Sequence, residues 1–138
     1  MSELIDTSAL ILGVRDERVR GWLADAVAKD EIVLCDIVAL EYLMGARTTD
    51  DYARTELALA GFQWVETVPD DWRRARDVHR ALAGTGGGLQ RSVRIPDLLI
   101  AAIGQRVGLP VAHYDQDYDR IASITGQPAR WVLPRGSV

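Results

Sequence analysis

The side chains in this sequence best placed for chemistry are acidic. Asp6 directly follows a short apolar run, Leu4-Ile5. Glu41 lies in a segment of helical spacing. On the helical wheel it falls between Ile37 and Met44, with Leu40 close by, which turns it toward the apolar side. Glu is rarely buried without a partner, and no Lys or Arg has an obvious place beside this one. Asp97 stands ahead of Leu98-Leu99-Ile100-Ala101-Ala102-Ile103, a helix so apolar that it must be buried, first turn included. Asp115 and Asp117 follow another apolar run. Taken singly, each acid has an ordinary use. Asp97 suits the helix dipole, a stabilisation of about 0.3–1 kcal/mol. Asp115 and Asp117 suit turns or caps, and Asp6 suits a cap. Taken together they are costly, because two carboxylates about 4 Å apart repel by about 4 kcal/mol at an effective dielectric of about 20. Four at one edge need protons or a cation. An oxygen-only cluster suits Mg²⁺ or Mn²⁺. A metal held by carboxylates suits phosphodiester hydrolysis, where it lowers the pKa of water and stabilises charge on phosphorus.

Alternating strands and helices are needed to bring these acids together. Short apolar runs at Leu4-Ile5 and over 31–35, 62–68, 109–114 and 130–133 read as strands. Helical patterns cover 9–12, stopping at Gly13, then 16–30, 37–47, 48–60, 69–83, 96–107 and 117–125. Thr7, Ser8 and Asp36 stand where caps belong, and Pro96 opens the most apolar helix. The glycine-rich stretch 84–94 reads as a loop. Strands alternating with helices imply parallel pairing by right-handed crossovers. The expectation is a three-layer α/β/α sandwich with a mainly parallel central sheet, one domain over residues 1–138. In such sheets sites form beyond the carboxyl ends of the strands, and every acid named above maps to that edge.

Composition narrows the function classes. With 48% hydrophobic and 26% charged residues, the chain has enough apolar surface to fold. No apolar run approaches the roughly 18 residues a membrane span needs. Met1-Ser2-Glu3 lacks the basic start of a signal peptide, so the expected location is the cytoplasm, with no membrane partner. Cys35 is the only cysteine, which excludes an internal disulfide, a multi-cysteine zinc site and an iron–sulfur cluster. The net charge of −4 argues against nucleic acid, but its distribution does not. Residues 73–94 hold six arginines (73, 74, 76, 80, 91 and 94) against one acid, Asp77. That segment carries +5 and the remainder −9. An acidic chain can thus present a basic face. Arg73, Arg76 and Arg80 fall near one helix face by spacings of three and four, and with Arg91 and Arg94 they are candidate RNA phosphate contacts.

Four segments occur in order: Leu4-Ile5-Asp6-Thr7-Ser8-Ala9-Leu10, Ala39-Leu40-Glu41-Tyr42-Leu43-Met44-Gly45-Ala46-Arg47, Ile95-Pro96-Asp97-Leu98-Leu99-Ile100-Ala101-Ala102, and His113-Tyr114-Asp115-Gln116-Asp117-Tyr118-Asp119-Arg120-Ile121-Ala122. Over nearly its whole length the chain resembles the PIN-domain proteins, more narrowly the VapC-type toxins of bacterial toxin–antitoxin pairs. The resemblance implies a Mg²⁺- or Mn²⁺-dependent endoribonuclease that cuts tRNA or rRNA and inhibits translation. It also implies a homodimer and a small cognate antitoxin that inactivates the enzyme and binds operator DNA. By motif match it makes Asp6, Glu41, Asp97 and Asp115 the acidic metal ligands and catalytic acids of the site. Asp117 shares the fourth role, and Thr7 and Ser8 are supporting residues. His113 departs from the family's usual Thr or Ser. It is either a proton carrier beside the metal or a structural histidine at a strand end, while His79 in the arginine-rich helix reads as exposed.

Competing readings are weaker. A haloacid-dehalogenase-like phosphatase needs a second Asp two residues after the first, where this chain has Ser8. A P-loop needs Lys-Ser/Thr after its glycines and before a helix, and residues 84–88 offer none. A non-catalytic PIN-like module binding RNA or protein, or an RNA-processing nuclease that is not a toxin, are the remaining alternatives. Retention of all four acids argues against the non-catalytic one.

Overall fold

In the computed structural model, which describes residues 1–138, five short strands form one all-parallel sheet in the order β3-β2-β1-β4-β5. They are β1 (Glu3–Ile5), β2 (Ile32–Leu34), β3 (Gln63–Trp64), β4 (Val111–His113) and β5 (Ala129–Trp131). Eight helices connect them: α1 (Thr7–Arg15), α2 (Glu17–Ala28), α3 (Asp36–Leu43), α4 (Thr49–Leu59), α5 (Pro69–Gly84), α6 (Leu89–Ser92), α7 (Ile95–Val107) and α8 (Asp117–Thr125). Parallel strands cannot be joined by tight turns, so each return runs through helices that cover the sheet. The result is the three-layer α/β/α sandwich expected from the alternation.

β1 is the centre of the sheet. Leu4 pairs with Val33 of β2 on one side and Val111 of β4 on the other. Leu4 and Ile5 are fully buried. From β1 the chain builds outward through β2 and β3, then returns to add β4 and β5 on the opposite side. The strand order therefore reverses between β1 and β4, and in such sheets sites form beyond the carboxyl ends of the strands at that point. Helix α7 packs on α5 and is buried from Asp97 to Gly104, the burial its apolar run demands. Each fully buried Leu or Ile there contributes about 1.5–3 kcal/mol. No helix is long and apolar enough to cross a membrane.

Several boundaries differ from the sequence expectation, each for a local reason. α1 does not stop at Gly13 but runs on to Arg15. A Cβ at Gly13 would lie 3.2 Å from Leu23 Cδ2, so this glycine marks the close approach of α1 to α2 rather than a helix end. The strand expected over 62–68 shrinks to Gln63–Trp64, an exposed edge paired only with β2. The loop over 84–94 contains the single-turn α6. The first cap of α1 is Asp6, ahead of Thr7 and Ser8. Asp36 is the first residue of α3 rather than its cap, and α3 ends at Leu43, short of the expected 47.

Candidate active site

Asp6 leaves β1 in extended geometry and caps α1, so its carboxylate turns back over the helix start. Oδ2 accepts the Ser8 backbone N–H at 2.9 Å and the Ser8 hydroxyl. Oδ1 accepts the Tyr118 hydroxyl at 2.5 Å. The Ser8 hydroxyl oxygen also accepts the Tyr114 N–H at 2.9 Å, which ties α1 to the loop after β4. Thr7 donates its hydroxyl to Glu41 Oε1 at 2.7 Å. Thr7 and Ser8 therefore hold the acids from the β1 side. Burial raises the Asp6 pKa, opposed by the hydrogen bonds from Ser8 and Tyr118.

Glu41 is placed differently from the helical-wheel expectation. The core face of α3 is Val38, Ala39 and Leu43, while Leu40 and Met44 are 59% and 81% exposed. α3 is apolar almost all round, so its pattern did not reveal which face is buried. Glu41 stands at the boundary, its side chain 12% exposed, and it does have a cationic partner: Arg94 Nη2 lies 2.5 Å from Oε2. That arginine comes from the N-cap of α7, far along the chain, which no local pattern could signal.

Asp97, Asp115 and Asp117 converge. Each offers one oxygen within 4.8 Å of the others. Asp97 is 1% exposed in the first turn of α7, and its Oδ2 has no hydrogen-bond partner. Desolvation above all pushes its pKa up to about 9, helped by the neighbouring carboxylates of Asp117, Asp6 and Asp115. Without a cation, burial favours the protonated form of Asp97. Asp115 Oδ1 accepts the Asp117 N–H at 2.9 Å. Asp117 is held at both oxygens, by Arg120 Nη1 at 3.1 Å and by the Arg94 backbone N–H at 3.0 Å.

His113 resolves to the structural alternative. It is fully buried, with ring centroids 4.8 Å from Tyr118 and 5.0 Å from Trp131. Its Nδ1 accepts the Asp115 N–H at 3.1 Å, so it positions the loop that carries Asp115. Burial lowers its pKa to about 4, and the ring is neutral. His79 is exposed, as expected.

The site also uses residues the sequence reading passed over. Tyr118 is buried and bridges Asp6 to Asp97, 3.4 Å from Asp97 Oδ1. Burial and the adjacent acids raise its pKa well above the usual value, so it remains a donor. Its signal was present, since Tyr118 and Ile121 share the apolar stripe of α8. Arg120 had no such signal.

The basic segment divides. Arg73 pairs with Asp70 and Arg80 with Asp77 along α5, while Arg74 donates to Gln105. Arg91 is exposed beside Gly88. Arg94 turns to Glu41 instead of joining the outer face. Arg76 is exposed, makes no ion pair, and lines a cleft of about 210 Å³ with Trp72, His79 and Ile95.

The arrangement fits a divalent cation. Its donors are hard carboxylate oxygens, and a buried, unpartnered Asp97 Oδ2 beside two further acids is an acceptor awaiting a positive charge.

Known proteins place this geometry. The PIN domain family model matches residues 4–124. The chain is similar to Ribonuclease VapC18 of Mycobacterium tuberculosis, 43% identical over 134 residues and 97% of each chain. It is also similar to Ribonuclease VapC51 of the same organism, 38% identical over 135 residues, covering 98% of this chain and 96% of the relative. Among solved structures, DNA-bound VapBC from Salmonella typhimurium superposes with a TM-score of 0.73 at 17% identity, over 96% of this chain and 100% of the other. A toxin–antitoxin complex from Klebsiella pneumoniae gives 0.72 at 22% identity, over 96% and 98%. At such identities these two structures speak for the fold alone.

Proposed function

The chain belongs to the PIN-domain family, and from that premise we propose that it is a divalent-metal-dependent endoribonuclease, the toxin of a toxin–antitoxin pair. The observation that carries this reading is the buried, unpartnered Asp97 Oδ2 within a group of carboxylates at the switch point of the sheet. Asp97 and Asp115 would hold Mg²⁺ or Mn²⁺, with Asp117 and Asp6 beside them. The bound ion supplies a water of lowered pKa and charge stabilisation at phosphorus. The protein's own part is orientation. Tyr118 and Ser8 fix Asp6, His113 fixes the Asp115 backbone, and Thr7 with Arg94 fixes Glu41.

The RNA approaches from the side of α5. Arg76, with Trp72 on the same cleft, offers a phosphate contact and a surface for a base, and Ile95 at the cleft edge leads straight to Asp97. The small antitoxin takes the opposite side. A groove of about 380 Å³ between α1, α3 and α4 is walled by Ile11, Val14 and Tyr42 and reaches Glu41. An apolar segment lying there would bring an Arg or Lys to the acidic edge and inhibit cleavage. We extend the proposal to a homodimer, which sedimentation tests directly.

The test of function is cleavage of tRNA and rRNA by the purified chain. Fragments are expected with Mg²⁺ or Mn²⁺ and none in EDTA, and saturation with the antitoxin should abolish them. Undiminished cutting in EDTA, or no cutting of any cellular RNA with either metal, would overturn the reading.

A further inference from the structure

The carboxylates of the site differ in how many of their oxygens are already held. Both oxygens of Asp6 are held, by Ser8 and Tyr118. Both oxygens of Asp117 are held, by Arg120 and by the Arg94 backbone N–H. Glu41 is held by the Thr7 hydroxyl at 2.7 Å and the Arg94 guanidinium at 2.5 Å. What remains is Asp97 Oδ2, buried and without a donor, and Asp115, whose Oδ1 alone accepts a hydrogen bond. The open acceptors gather on the Asp97–Asp115 side, while the Glu41 side already carries a positive charge.

From this distribution we infer that Arg94 takes the place of a second metal ion at Glu41, so that the site binds a single divalent cation, at Asp97 and Asp115. The inference rests on the metal-dependent reading above. Charge supports it. Five carboxylates (Asp6, Glu41, Asp97, Asp115 and Asp117) face two paired guanidiniums, Arg94 and Arg120, a formal balance of −3 when all are ionised. One divalent ion brings this to −1, whereas a second would overshoot to +1 with Arg94 already in place. Without Arg94 the balance is −4, which two divalent ions neutralise. Arg94 is also built in. Its backbone N–H is fixed to Asp117, so its side chain starts at the site and crosses from the α8 side to α3. The guanidinium is thus a positioning group for Glu41.

Mn²⁺ titration without RNA, followed by electron paramagnetic resonance and calorimetry, tests the inference. Wild type should bind one Mn²⁺ per chain. Arg94→Met keeps the stem and removes the charge, and should bind a second. Arg94→Lys should return the count to one. Glu41→Gln should leave the affinity of the wild-type ion within about threefold, since losing a ligand or its support costs about tenfold or more. Two ions in wild type, one ion in Arg94→Met, or about a tenfold loss in Glu41→Gln would each overturn it. Should Arg94→Met fail to fold, the wild-type count and Glu41→Gln still decide. No Mn²⁺ binding by wild type at all is a different result, which sinks the metal-dependent reading itself.

Discussion

Asp71 in α5 and Asp97 in α7 occupy corresponding places in two helices that pack on each other. Each is the third residue of its helix, in a first turn that holds a proline, and each is 1% exposed. Asp71 is fully satisfied: Arg106 reaches it through Nε at 2.8 Å and Nη2 at 3.1 Å, and it caps the Val68 N–H at 2.9 Å. Asp97 has an oxygen with no partner and acids for neighbours. The same residue type, at the same helix position and burial, thus closes a structural joint in one helix and stands in the proposed cation site in the other. What separates them is the charge of the side chains that the fold brings up from elsewhere. In this pair of helices the carboxylate matched by an arginine serves the scaffold, and the one left among its own kind stands in the candidate site.

Paired substitutions sharpen this contrast. The largest effect is expected on activity. Asp97→Asn should reduce metal-dependent RNA cleavage by about 100-fold or more while the protein stays folded, because it removes a charge that binds the ion. Asp71→Asn should leave the folded enzyme cutting at nearly the wild-type rate. If both variants cut equally well, the distinction fails.

Stability should separate them in the opposite sense. Asp71→Asn leaves a buried ion pair half made, and because Arg106 is partly solvated the cost sits at the low end, about 3 kcal/mol, a fall of about 10 °C in Tm. Asp97→Asn in EDTA should raise Tm at neutral pH, because folding no longer has to bury a carboxyl whose charged form is disfavoured there. Mg²⁺ or Mn²⁺ should then raise Tm of wild type but not of Asp97→Asn, since the ion binds only the folded wild-type site. Differential scanning calorimetry with and without metal reads all three.

A comparable effect on stability is expected from pH. The folded pKa of Asp97 is about 9, above the unfolded value near 3.8, so the native state binds the extra proton. Stability contributed at this group therefore falls as pH rises from about 4 through about 9. Metal-free wild type should melt lower at pH 8.5 than at pH 5.5, and Asp97→Asn should flatten that difference. A metal-free wild type whose Tm rises over the same interval would contradict the assignment.

The smallest effect concerns the basic face. Arg76 is free of ion pairs and Arg80 is paired with Asp77. Arg76→Ala should reduce the slope of log affinity for single-stranded RNA against log salt by about 0.7, with a smaller change for Arg80→Ala. An unaltered slope in the double variant would place the RNA on another face.

The sequence was enough for the order of strands and helices, because that order follows from local periodicity. It was also enough for Asp6, Asp97, Asp115 and Asp117 at one edge, because a parallel sheet puts every strand's carboxyl end on the same side. Asp16 and Thr48 sit as caps at the starts of α2 and α4. Elements shorter than a periodicity can register were read too long or missed. β3 has two residues, and α6 is one turn inside a glycine-rich stretch.

Composition and spacing by themselves determined that this chain folds as α/β layers around a buried α7 with acids gathered beyond β1 and β4. Only the tertiary structure decided which acids are neutralised. Arg94 reaches Glu41, Arg106 reaches Asp71, and nothing reaches Asp97 Oδ2. These pairings join residues 53 and 35 positions apart. Periodicity acts over a few residues, whereas an ion pair depends on distances in space that are set only when the layers pack.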